Sequence, residues 1–253
     1  LLSSPLGAFV VSRLVRPTLA TFLLTGSLTG WQPLEAQEPR QFRWQEGVTM
    51  LSVVVISSLA DQPIQRYTQD NQTSFQDDLA STFRHMGQPE VFLTAGLGTI
   101  GVGLVTHNAK VARAGGRITA SVLLAGAATT GLKFLVGRVR PSDSENAYLF
   151  HPFSGNESFP SGHATVSFAL AASASDEIHR VWATVPLYTA AGLCGWSRVY
   201  NNAHWFSDVL AAAAVGVTSA KLVNGRWRVW HIRPPAIIRE PDGQVGLVWH
   251  GEF

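Results

Sequence analysis

From residue 48 to residue 222 the chain alternates apolar runs with short polar clusters. Val48–Ala60, Val91–Thr106, Ile118–Val136, Ala164–Ser175, Val181–Trp196 and Val209–Leu222 are six apolar runs of helical rather than strand length. Phe75, Leu79, Phe83 and Met86 recur at helical spacing and predict an amphipathic helix over Phe75–Met86. Asp61-Gln62-Pro63 and Gly87-Gln88-Pro89 read as helix stops, leaving 61–74 as a polar loop and 141–159 as a second one. The runs are rich in Gly, Ala, Ser and Thr, which suits close helix packing. A strand pattern begins only after Pro234-Pro235, where Ala236–Arg239 and Gln244–Trp249 flank Pro241-Asp242-Gly243, a turn signal. The pattern predicts an all-α fold. Its parts are a six-helix core bundle within residues 37–224 and a basic, aromatic tail over 225–253 that carries a small C-terminal β-hairpin.

Residues 1–36 read as a targeting segment. Arg13 and Arg16 precede the apolar run Leu19–Gly30, and Leu34-Glu35-Ala36 fits a cleavage site that leaves Gln37 as the mature start. The alternative is a single N-terminal anchor helix. The 27.3 kDa chain has 14 % charged residues, against about 25 % for an ordinary soluble domain. Its mean hydropathy of +0.12 lies between soluble and multi-span proteins. A net charge of +2 leaves no nucleic-acid footprint. Cys194 stands alone, which excludes an intrachain disulfide and a cysteine-rich metal site; its apolar surroundings make it a core thiol. The uninterrupted apolar runs fall short of the ~20 residues that span a bilayer. With Gln37 outside, six spanning helices would also leave the end of the third inside. The expectation is therefore an exported helical domain, periplasmic or at the cell envelope, free or resting on a membrane. An integral membrane protein is the alternative.

Three clusters of costly polar residues interrupt the apolar pattern between Lys133 and Asp208: Lys133-Phe-Leu-Val-Gly-Arg-Val-Arg140-Pro141, Pro160-Ser161-Gly162-His163, and Ser197-Arg198 followed by His204 and Asp208. Lys133–Arg140 ends the third apolar run, Ser161–His163 starts the fourth, Arg198 follows the fifth and His204–Asp208 starts the sixth, and in an up-down bundle these four helix ends fall on one side. Lys133, Arg138, Arg140 and Arg198 outnumber Asp208, so the compensating charge is best supplied by a bound anion. His204 and Asp208 share a helix face, where the carboxylate can hold one imidazole N–H and aim the other nitrogen outward. Ser161 and Gly162 open an apolar helix and form an anion cradle, with His163 beside them to move a proton. Arg138 falls on another helix face from Lys133 and Arg140 and reads as facing solvent or headgroups. The set fits phosphoryl transfer through a phosphohistidine, with fixed cations in place of a metal ion.

These three clusters resemble the signature motifs of the phosphatidic acid phosphatase type 2 and vanadium haloperoxidase superfamily, over roughly residues 90–222. The resemblance implies His204 as nucleophile and Asp208 as its orienting acid. It implies His163 as the group that protonates the leaving group and later activates water. Lys133, Arg140, Ser161, Gly162 and Arg198 would hold the phosphate oxygens. It further implies a phosphoric ester hydrolase with no metal and no cofactor, acting on phosphomonoesters or diphosphates, lipid phosphates among them. In the haloperoxidase branch the same residues hold vanadate as the cofactor; in the phosphatase branch vanadate inhibits. A non-catalytic envelope protein with this fold is the third reading.

Overall fold

The computed structural model describes residues 40–85, 87–228, 236–239 and 245–248. The leader over 1–36 and the hairpin turn fall outside the described residues.

Helix α1 (Trp44–Ser57) starts where the Arg43 backbone N–H donates to Glu46 Oε2 at 3.3 Å. It runs through a 3₁₀ turn (Ser58–Ala60) straight into α2 (Asp61–Asp70), so the expected stop at Asp61-Gln62-Pro63 is not one. Pro63 stands in the first turn of α2, where an N–H has no intrahelical acceptor to lose. α3 (Ser74–His85) matches the amphipathic run, and α4 (Pro89–Val105) begins with its proline at the first helical position.

α5 (Ala109–Val136) starts nine residues before the apolar run that signalled it. Asn108 caps it, accepting from the N–H groups of Lys110 at 3.1 Å and Val111 at 3.3 Å. The basic residues Lys110, Arg113 and Arg117 therefore lie on its first turns. α5 ends at Gly137, which takes φ 57° and donates to the Lys133 carbonyl at 2.9 Å. α6 (Gly162–Ile178), α7 (Val181–Tyr200) and α8 (Phe206–Val223) complete the bundle.

α6 is central, packed on α5, α7 and α8, with α4 against α5 and α1 along α8. It packs through small side chains: Ala164 joins Val199, Val209 and Ala212 in a buried cluster, with Ile64 and Phe168 against it. Small residues let the backbones approach closely. The alternation of helices brings α2, the start of α4, the ends of α5 and α7 and the starts of α6 and α8 to one end. At the other end Arg40–Gln41 (β1) pairs in parallel with Trp227–Arg228 (β2). In the tail, Ala236–Arg239 (β3) pairs antiparallel with Val245–Val248 (β4), Ala236 opposite Val248, the expected hairpin.

Among the described residues, three stretches are long and apolar enough to cross a membrane: Trp44–Asp70, Ala109–Val136 and Phe206–Val223. α1 buries no residue, and Leu51, Val55 and Ile56 on it are largely exposed. Counting only uninterrupted apolar residues understated these lengths, because capped polar turns extend the helices beyond the apolar run.

Candidate active site

α5 stops at Gly137, so the helical spacing that sent Arg138 to another face no longer applies. Arg138 instead bridges to Phe150 as extended chain and turns inward, only 2 % exposed. This corrects the expectation that it faces solvent or headgroups. Its guanidinium is fully occupied. Nε and Nη2 donate to the Ala147 carbonyl at 3.0 and 2.6 Å. Nη1 donates to Ser207 Oγ at 2.8 Å and to Asp208 Oδ1 at 2.6 Å. Nη2 also donates to Asp61 Oδ2 at 2.7 Å. The Trp205 ring lies 5.4 Å from the guanidinium carbon, and its N–H donates to the Val139 carbonyl at 2.9 Å.

Asp208 is wholly buried and also accepts Ser158 Oγ at 2.6 Å and the Trp205 N–H at 3.0 Å. Its approach to His204 Nδ1 is 3.8 Å, too long for a hydrogen bond. Nδ1 lies 2.7 Å from the Ser158 carbonyl instead. The expected direct Asp208–His204 bond is thus replaced by a bridge: Asp208 holds Ser158, and the Ser158 carbonyl holds the imidazole. A carbonyl can only accept, so Nδ1 carries the proton and Nε2 keeps its lone pair. Burial pushes the His204 pKa down, opposed by the nearby Asp208 charge; Lys133 and Arg198 lower it further. The ring is therefore neutral at pH 7.

Around this imidazole stand the anion-holding candidates. Ser161 occupies the N-cap position of α6, yet its hydroxyl makes no capping bond. Ser161 Oγ and Arg198 Nε are both buried with no hydrogen-bond partner. Buried donors without acceptors are costly and mark where an anion fits. Lys133 reaches across to α6: its Cε lies 3.9 Å from the point where a Cβ on Gly162 would stand. Its Nζ donates to the Glu157 carbonyl. Arg140 sits at the rim, partly exposed, with Nη2 3.9 Å from the Glu157 carboxylate. Among the described residues no group of three or more His, Cys, Asp or Glu side chains converges as a metal site requires.

His163 lies in the first turn of α6. Its pKa is lowered to about 4, by burial first and then by Arg198, His204, Arg84 and Lys133. Gly87, at the α3–α4 corner, packs on it: a Cβ there would sit 2.6 Å from the His163 Cβ. Cys194 is a buried thiol in α7, as expected. Sequence reasoning missed three members of the site: Arg138 in its buried role, Asp61 and Ser158. Asp61 and Ser158 stood in stretches read as polar loops.

Residues 114–230, which hold the three clusters, match the family model described as the PAP2 superfamily. Among curated proteins the chain is similar to a lipid A 1-phosphatase of Porphyromonas gingivalis, 36 % identical over 48 % of this chain and 24 % of the relative. It is also similar to a putative undecaprenyl-diphosphatase of Escherichia coli, 32 % identical over 42 % of this chain and 57 % of the relative. The chain spans less than two thirds of the length of these relatives. Two solved structures share its fold. The Aquifex aeolicus LpxE crystal structure aligns with TM-score 0.52 at 19 % identity, over 64 % of this chain and 93 % of the other. A transmembrane PAP2 type phosphatidylglycerolphosphate phosphatase from Bacillus subtilis aligns with TM-score 0.57 at 22 % identity, over 70 % and 94 %.

Proposed function

We propose that the protein is a membrane-embedded, metal-independent phosphatase that hydrolyses lipid phosphates or diphosphates through a phosphohistidine on His204. The observation that carries this reading is the pairing of a neutral, carbonyl-aimed His204 with two buried, unpartnered donors, Ser161 Oγ and Arg198 Nε. The named phosphatases among the relatives support it.

The chemistry follows from the groups present. His204 Nε2 attacks phosphorus, the phosphorus–oxygen bond of the ester breaks, and His163 gives its proton to the departing oxygen. The new positive charge on His204 is met by Asp208, whose Oδ2 is 3.8 Å from Nδ1. Lys133, Arg198, Arg140, Ser161 Oγ and the first N–H groups of α6 hold the phosphoryl oxygens and spread their charge in the transition state. His163, now neutral, takes a proton from water, which attacks phosphorus and breaks the phosphorus–nitrogen bond. Phosphate leaves and His204 is regenerated. Fixed cations do here what a bound metal does elsewhere, so the reaction needs none.

The placement follows from charge. Arg40 and Arg43 before α1, Lys110, Arg113 and Arg117 on α5, Arg180 in the α6–α7 turn, Lys221 in the last turn of α8, and Arg226 and Arg228 after it gather at the end opposite the site. Basic residues favour the cytoplasmic side of a membrane, so the site faces outward. The exposed apolar faces of Trp44–Asp70 and Ala109–Val136 meet lipid.

Phosphate release from a lipid monophosphate, a polyprenyl diphosphate and a soluble aryl phosphate, with EDTA present, tests the proposal. Release should persist in EDTA and be inhibited by vanadate. Loss on chelation with recovery on adding Mg²⁺, or halide oxidation switched on by vanadate plus peroxide, would contradict it.

A further inference from the structure

Asp61 is wholly buried at the start of α2, outside the stretch that matches the family model and outside the three clusters. Each of its oxygens is engaged at the base of the site. Oδ1 accepts the Ser207 backbone N–H at 2.8 Å; Oδ2 accepts Ser207 Oγ at 2.6 Å and Arg138 Nη2 at 2.7 Å. Arg138 in turn grips both ends of the unit that aims the nucleophile. Its side chain holds Asp208 at 2.6 Å, and its backbone carbonyl accepts the Ser158 N–H at 3.0 Å.

We propose that Asp61 is a positioning residue for the phosphoryl-transfer site: it holds Arg138 against Asp208 and Ser158, and so sets the aim of His204. The inference rests on the proposed role of His204 and adds a residue from a different helix pair to it. A buried guanidinium between two carboxylates has one geometry that satisfies all three. With Asp61 neutral, Arg138 is drawn wholly to Asp208. The Ser158 carbonyl moves with that pair, and the aim of Nε2 at phosphorus is lost. A displacement near 1 Å costs a rate of order 10²-fold. Asp61 touches no substrate, so binding should be spared.

Its charge leaves a second mark. The groups facing His204 are Asp208 from α8, Lys133 from α5, Arg198 from α7 and His163 from α6. Removing one more negative charge behind Asp208 makes that surrounding more positive and lowers the pH at which the ring protonates.

The test is Asp61→Asn in the full-length protein in detergent micelles. The expected result is a fall in kcat of about 10–100-fold with KM within about threefold of the parent. The acid limb of kcat/KM and the His204 ring titration, followed by NMR, should both move to lower pH. A folded variant with parent kcat and an unmoved limb would make Asp61 a purely structural residue and overturn the inference. Where Asp61→Asn does not fold, Ser207→Ala decides. It removes the hydroxyl shared by Asp61 and Arg138, and should lower kcat with little change in KM; parent kcat there overturns the inference. If the parent itself releases no phosphate, the function reading fails, and the His204 titration alone then judges Asp61.

Discussion

At the residue scale, the site is built on a cation that touches no substrate. Arg138 is paired with two buried carboxylates, and replacing it by Met leaves Asp61 and Asp208 facing each other without it. Breaking a buried pair in this way costs about 3–5 kcal/mol, so Arg138→Met should melt far below the parent in a thermal scan in detergent. A melting point equal to the parent would show that the triad carries no stability. His163 gives a second expectation. With a pKa of about 4 it is neutral at pH 7 in the unliganded site, yet the proposed leaving-group step needs its proton. An anion beside it offsets Arg198 and Lys133 and raises the pKa, so binding vanadate or phosphate at pH 7 should take up a proton. Calorimetry in buffers of different ionisation enthalpy reads that uptake; a binding heat independent of buffer would contradict it. Much of this was legible in the chain. The spacing of Lys133, Ser161, His163, Arg198 and His204 names the helix ends, and helix ends converge in any up-down bundle. Arg138 was misread because helical periodicity was carried one residue past Gly137, where the helix stops. The Asp208–His204 bond was misread because residues four apart on a helix need both to be helical, and His204 precedes α8.

At the element scale, the informative differences are where helices begin. Pro63 and Asn108 are start signals: reading Asp61-Gln62-Pro63 as a stop turned α2 into loop, and starting the third helix at its apolar run passed over Asn108 and shortened α5. With α2 read as loop, Asp61 had no defined place. The α3–α4 corner is the other feature beyond sequence reach, since Gly87 meets His163 only in the folded chain. The substitution Gly87→Ala puts a methyl 2.6 Å from the His163 Cβ and forces the corner or the ring to shift. We expect kcat to fall by about tenfold or more for an alkyl phosphate, and by less for an aryl phosphate, whose leaving group needs little protonation. An equal loss on both substrates would mean that the corner does not act through His163.

At the scale of the whole molecule, the candidate site with its own cations lies at one end of the bundle, and a second group of basic residues gathers at the other. Cys194 is buried, so single surface cysteines report sidedness. In intact cells a membrane-impermeant maleimide should label Glu145→Cys, beside the site, and spare Arg113→Cys until the membrane is opened. The reverse pattern would turn the protein over in the membrane. The central step of the proposed reaction is the transfer of a phosphoryl group to His204, and that step can be tested directly. Labelled substrate is mixed with the enzyme and quenched within milliseconds, and the chain is examined for phosphate that is stable to base and labile to acid. The parent should carry it on His204 and His204→Ala should carry none, while His163→Ala forms it more slowly by the ~10²–10⁴-fold typical of a lost general acid. Label retained in His204→Ala, or full turnover by that variant, would contradict the account.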